Sequence, residues 1–198
     1  MNLTKCWFYT GSFNNGSDGN VQATYNFSID WGDGSAIDYY SNADAQGGYL
    51  PVRHTYDKKG VYVASLTGTC DNLYQTGGVD YKNNIVSLKD CLWGIVVPKN
   101  SESPLKYAHA SFFGCESLRY LGKHIFDNLT ECKMIAHLFD GSSITRFPKN
   151  MFAKLSNLEN VEYALEATQI EQLPPDLFSC CTEITNAAHV CHRCNKLL

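Results

Sequence analysis

The sequence predicts a two-domain chain: an N-terminal all-β sandwich, then a C-terminal solenoid of short parallel strands with helical turns. Three observations predict it. Apolar and polar residues alternate between Tyr25 and Trp31, turn residues separate the short apolar runs before residue 72, and a fixed period runs through the C-terminal half. That period is read by stepping from Leu118, Leu121, Phe126, Leu129 and Cys132 to Ile144, Phe147, Phe152, Leu155 and Leu158. A further step reaches Ile170, Leu173, Phe178, Cys181 and Ile184, so five apolar columns repeat every 26 residues. Self-similarity of this length is a repeat signature, and repeats display an extended surface rather than enclose a reaction.

The N-terminal elements follow in order. Cys6–Phe13 is apolar and leads into the turn-rich run Asn14–Asn20. Tyr25, Phe27, Ile29 and Trp31 alternate with Asn26, Ser28 and Asp30, the period of a half-buried strand. The run closes in Gly32-Asp33-Gly34-Ser35, where glycines supply turn angles. A polar loop continues to Gly48, then His54-Thr55-Tyr56 and Gly60 introduce a second alternating strand at 61–66. Short strands at this spacing predict a small antiparallel sandwich. Cys6 and Cys70 lie on its first and last strands, where a structural disulfide in an oxidising compartment is the alternative to free thiols.

Trp31-Gly32-Asp33-Gly34, His54-Thr55-Tyr56 and Gly60-Val61-Tyr62-Val63 together resemble the signature of the PKD (polycystic kidney disease) domain. The resemblance covers roughly residues 5–70 and implies an immunoglobulin-like β-sandwich acting as a spacer or binding module. The insert between Ser35 and Tyr49 departs from the commonest spacing of that family.

Residues 73–110 read as the joint and N-terminal cap, with an apolar strand at 85–88 and Trp93-Gly94-Ile95-Val96-Val97-Pro98. Residues 111–198 hold the repeats. Phe113-Gly114-Cys115-Glu116-Ser117-Leu118, Phe147-Pro148 and Leu173-Pro174, with the Phe-led segments at 125–129, 151–155 and 177–181, resemble the BspA-like leucine-rich repeats of bacterial surface proteins. Those proteins often carry a PKD-like domain ahead of the repeats, so the resemblance implies the domain boundaries 1–72, 73–110 and 111–198. It also implies a cell-surface or secreted location, although no signal peptide is legible at the N-terminus. Strands at 118–121, 144–147 and 170–173 are expected to stack in parallel, with the Phe column on helical turns. The last copy matches only if one extra residue is allowed, as a natural end or a fragment of a longer array.

Stacked strands place Arg119, Thr145 and Glu171 in one outward row and Tyr120, Arg146 and Gln172 in the next. These six residues are the candidate ligand-binding set, the plain alternative being that they are only solvated. No catalytic motif is found: no G-x-S-x-G, no H-E-x-x-H and no phosphate-binding glycine loop before a lysine. The chain therefore reads as a non-enzyme without catalytic residues, cofactor or metal. The expected function is adhesion to a protein or glycan; the alternative is a structural assembly component of a virion or appendage.

A net charge of -4 without basic clusters gives no footprint for nucleic acid, and no apolar run is long enough to span a membrane. Nine cysteines leave at least one unpaired. Cys132 and Cys181 fall in apolar columns and read as core fillers. The group Cys180, Cys181, His189, Cys191, His192 and Cys194 reads as free thiols, with a disulfide or tetrahedral zinc as alternatives. Asp30 and Asp33 read as turn carboxylates, since a calcium site needs further oxygen ligands at regular spacing. Four Asn-x-Ser/Thr triplets, at Asn2, Asn15, Asn26 and Asn128, matter only in a eukaryotic secretory pathway.

Overall fold

The alternating run folds as the central strand of a three-stranded sheet, with Tyr25, Phe27 and Ile29 buried and Asn26 and Asp30 outward. The computed structural model describes residues 5–11, 13–14, 16–45, 49–58, 60–73, 85–98, 101 and 103–198. In chain order the strands are β1 (Lys5–Gly11), β2 (Phe13–Asn14), β3 (Asn20–Val21), β4 (Tyr25–Asp30) and β5 (Asp38–Ser41). They continue as β6 (Tyr49–Thr55), β7 (Ser65–Cys70), β8 (Ile85–Ser87), β9 (Gly94–Ile95) and β10 (Tyr120–Leu121). One helical turn, α1 (Leu88–Cys91), and 3-10 turns at Gly16–Asp18 and Asn42–Asp44 complete the regular structure of the described residues.

β4 pairs antiparallel with β5 and β7, setting Phe27 between Tyr40 and Gly68. β1 pairs antiparallel with β6 and parallel with β8. The two small sheets share a core in which Tyr25, Phe27, Ile29 and Trp31 meet Leu50 and Val52. Burying each of these large side chains stabilises by about 1.5–3 kcal/mol. The second alternating strand lies four residues later than expected. Val61 and Val63 are outside any strand and exposed, Val61 almost completely at 98%, while the paired residues are Ser65–Cys70.

Another expectation is corrected more deeply. The predicted fold class, an immunoglobulin-like sandwich plus a leucine-rich-repeat solenoid of parallel strands and helical turns, does not form. Sheets are small and largely antiparallel, and most of the chain is turn and coil. Of the three expected repeat strands only Tyr120–Leu121 exists, paired with Gly94–Ile95, and residues 144–147 and 170–173 form none. The Phe-led segments at 125–129, 151–155 and 177–181 contain turns and no helix.

The physical reason is where the layers bond: their amides and carbonyls pair at 135–141, 160–167 and 186–192, outside the expected strands, and left-handed residues break up that stretch. His137, Tyr163 and His189 have φ of 55°, 53° and 55°, and Gly141, Ala167 and Arg193 have 73°, 52° and 58°. A left-handed residue at such short intervals interrupts strand and helix alike. The backbone is satisfied by β-turns instead, such as Leu138 N–H to Ile135 O at 3.0 Å and Ser142 N–H to Phe139 O at 2.9 Å. The period organises these turns into layers. Amides of Ile135, His137, Phe139 and Gly141 donate to carbonyls of Asn160, Glu162, Ala164 and Glu166. Val161, Tyr163, Leu165 and Ala167 donate in the same way to Asn186, Ala188, Val190 and His192.

Parallel bridging between layers falls at Met134, Asn160 and Asn186, outside every apolar column read from the sequence. Inside, Phe126, Phe152 and Phe178 lie ring against ring at 5.7 and 5.3 Å, within a core that also takes Cys115, Cys132 and Cys181.

Candidate binding face

Trp93, exposed by 63%, lies beside the candidate residues Arg119 and Tyr120. Its carbonyl accepts the amides of Arg119 and Tyr120 at 2.9 and 3.2 Å, and the β9–β10 pairing fixes the two segments in register. That backbone match sets the Trp93 and Tyr120 rings nearly parallel, 10° apart with centroids at 6.1 Å. Gly94 allows the approach, because a Cβ there would stand 3.1 Å from the Tyr120 Cβ. Tyr120 is itself half exposed, and Val96 adds further apolar surface.

Among the other candidates, Glu171 N–H donates to the Thr145 carbonyl at 3.2 Å, and Leu198 N–H donates to the Glu171 carbonyl. Arg146 Nη2 approaches Glu171 Oε2 at 3.9 Å with 84% of its side chain exposed. An ion pair this open contributes roughly 0–1 kcal/mol, so the guanidinium is available for other partners. Arg119 and Gln172 are exposed and Thr145 is half-buried. The structure thus joins Tyr120 to Trp93, Arg146 to Glu171 and Glu171 to Thr145. Trp93 is absent from the candidates read in the sequence because it stands in the segment read as a cap, before the repeats.

A second constellation has no counterpart in the sequence reading. Phe113, His137, Tyr163 and His189 form a column of rings. His137 and Tyr163 stack at 4.8 Å and 9°, Tyr163 and His189 at 4.8 Å and 7°, and Phe113 meets His137 edge-on. Asp140 accepts from His137 Nδ1 at 2.8 Å, and Glu166 bonds His192 Nδ1 at 2.8 Å. Burial raises the Asp140 carboxyl above its ordinary value, against the lowering by His137. Burial likewise lowers His109, helped by His137. The signal is in the sequence: positions 137, 163 and 189 are 26 apart. Histidines fall between the apolar columns, yet two of them share a column of their own with Tyr163.

The Trp31–Val63 motifs meet in one corner. Trp31 stacks on His54 at 4.6 Å, His54 meets Tyr56 edge-on, and Tyr56 stacks on Tyr62 at 4.2 Å. Gly32, at φ 73°, lets the Val63 carbonyl approach to within 2.5 Å of where a Cβ would be. Asp30 accepts the Gly32 amide and Asp33 the Ser35 amide, while Asp33 Oδ2 lies 2.8 Å from His54 Nε2. Both carboxylates are engaged as turn acceptors.

Cys70, Cys132 and Cys181 are free and buried, and burial pushes the Cys132 and Cys181 thiols up to about 11. The alternative of a disulfide at Cys70 is not realised, since its thiol is free and points to the Asn72 carbonyl at 3.6 Å; the Cys6 side chain lies outside the described residues. Asn2 and Asn15 lie outside them too. Asn26 is exposed on β4, and Asn128 donates to the Ser103 carbonyl at 2.6 Å. Among the described residues no three metal-ligating side chains cluster, and no helix is long and apolar enough to cross a membrane. No protein-family model, no curated protein and no solved structure matches the chain.

Proposed function

We propose that the chain is a non-enzymatic binding module of a cell surface, and that the Trp93–Tyr120 face recognises a protein or glycan. The observation that supports this most is the exposed, parallel Trp93–Tyr120 pair, with the exposed Arg119 next to it in the chain. Large exposed aromatics beside an accessible guanidinium are the composition from which binding hot spots are made, because they bury area at low entropic cost. The ring faces serve apolar or sugar surfaces, and Arg119 supplies donors beside them. So short a face gives modest affinity, since specific protein interfaces bury roughly 1,200 Å² or more.

An array of extracellular-matrix proteins and glycans probed with the full chain tests the reading. Binding is expected to fall at least about tenfold in Trp93→Ala, the lower end of a hot-spot truncation. Absence of any binder, or a binder indifferent to both Trp93→Ala and Arg119→Ala, refutes it.

A further inference from the structure

Cys191 and Cys194 occupy the two ends of one β-turn in the last layer, closed by Cys194 N–H to the Cys191 carbonyl at 3.2 Å, with Arg193 left-handed between them. The same two positions in the earlier layers hold Phe139 and Ser142, then Leu165 and Thr168. Here both are thiols and both are half-exposed. A turn of this kind holds its end Cα atoms within about 7 Å. Disulfides need roughly 4.4–6.8 Å, so closure requires little backbone movement. Neighbouring thiols are placed differently. Cys181 is turned inward against the Phe152 carbonyl at 3.7 Å, while Cys180 is exposed.

We propose that Cys191 and Cys194 form a reversible dithiol–disulfide pair that exchanges with low-molecular-weight disulfides of the glutathione type. One thiolate attacks a sulfur of the small disulfide, forming a mixed disulfide and releasing one small thiol. The second then attacks the protein sulfur of that intermediate and releases the other. Two protein S–H bonds and one small S–S bond are exchanged for one protein S–S bond and two small S–H bonds, so atoms and electrons balance. Closure trades the Cys194 Sγ contacts with the Leu165 carbonyl at 2.9 Å and Thr168 Oγ1 at 3.2 Å for a covalent staple. Thr168 Oγ1 and the Thr168 amide still bond that carbonyl, so it keeps its partners. Burial, then the adjacent Cys194, push the Cys191 thiol up to about 11, which makes exchange slow at neutral pH. The measurement is therefore made at equilibrium.

The full chain is equilibrated with oxidised and reduced glutathione, its remaining thiols are alkylated, and it is cut with trypsin without reduction. Trypsin cuts after Arg193, so the peptide ending there and the one beginning at Cys194 stay joined only through a disulfide. Fragmentation of the joined species assigns the bond. The expected result is a Cys191–Cys194 link as the main oxidised species, lost on reduction and lost in Cys191→Ser, where Cys194 carries glutathione instead. Recovery of both cysteines as alkylated thiols, as separate glutathione adducts, or of Cys194 joined to Cys180 or Cys181 overturns the proposal. Mapping the unaltered chain distinguishes these outcomes even if the variant folds poorly.

Discussion

Ala167 holds φ at 52°, where an L-residue brings its Cβ against its own backbone, while Gly141 takes the equivalent place one layer earlier at 73°. The left-handed region costs roughly 1–2 kcal/mol for a residue with a Cβ. Glycine avoids that cost but brings about 0.5–1 kcal/mol of extra chain entropy to the unfolded state. Strain exceeds the entropy difference here, so Ala167→Gly is expected to stabilise the chain by about 0.5–1 kcal/mol. Gly141→Ala is expected to destabilise it by a similar amount, although a Cβ at 141 would meet nothing closer than Gly114 Cα at 3.6 Å. Urea midpoints of the two variants check both signs. A shift in the same direction for both would show that space rather than backbone conformation governs the turn. Apart from Gly141, the residue types do not announce this geometry: His137, Tyr163 and Ala167 carry no turn signal of the kind that Gly or Asn gives.

At the scale of elements, the corner joining Gly32–Ser35 to His54 and Tyr56 is held by one carboxylate. Hydrogen bonds from Ser35, then from His54, lower the Asp33 carboxyl well below its ordinary 3.8. The folded chain therefore binds this proton less readily than the unfolded one. Its contribution is complete above pH 3.8 and is lost as the pH falls toward the lower folded value. In Asp33→Asn the acid loss in that window is expected to shrink, while stability at pH 7 falls below that of the parent. Urea midpoints taken at intervals from pH 7 to pH 2 check it, and parallel pH profiles would contradict it. The same corner shows what is legible in the sequence. β4 is, because one face is buried and period-2 alternation is then forced. β7 is displaced from its expected place because Val61 and Val63 alternate as a strand would, yet their stretch is used differently. Tyr62 stacks on Tyr56, and the Val63 backbone packs under Gly32. In the C-terminal half the spacing is legible but its conformation is not, since apolar columns recur whether layers are built of strands or of turns. For the same reason counting passes over Trp93, which precedes the period, and the ring column, which lies off the apolar positions.

At the scale of the molecule, the two halves meet through buried polar groups. Asp71 accepts the Thr24 amide on its side chain and the Lys106 and Tyr107 amides on its carbonyl. Asn72 Oδ1 accepts the Ser111 hydroxyl at 2.6 Å, with both residues fully buried. Farther out, the 3-10 turn at Gly16–Asp18 lies on the layers. Lys133 Nζ reaches Asp18 at 2.6 Å, and Ser17 bonds Glu159. Gly16, at φ 65°, fits because a Cβ would come within 3.2 Å of Lys133. Contacts that cross between halves tie their unfolding together, so one cooperative transition is expected for the whole chain. Asn72→Ala strips the Ser111 hydroxyl of its acceptor in a dry site, at a cost of about 1–3 kcal/mol. Because that bond crosses the junction, the loss should also separate the melting of the aromatic-rich sheets from that of the layers. Near-ultraviolet circular dichroism of the N-terminal tryptophan corner, followed beside calorimetry, distinguishes the outcomes. A single transition that merely moves down would mean the remaining Asp71 and Lys133 contacts suffice to couple the halves. Two transitions in the parent chain would mean that coupling is absent from the start.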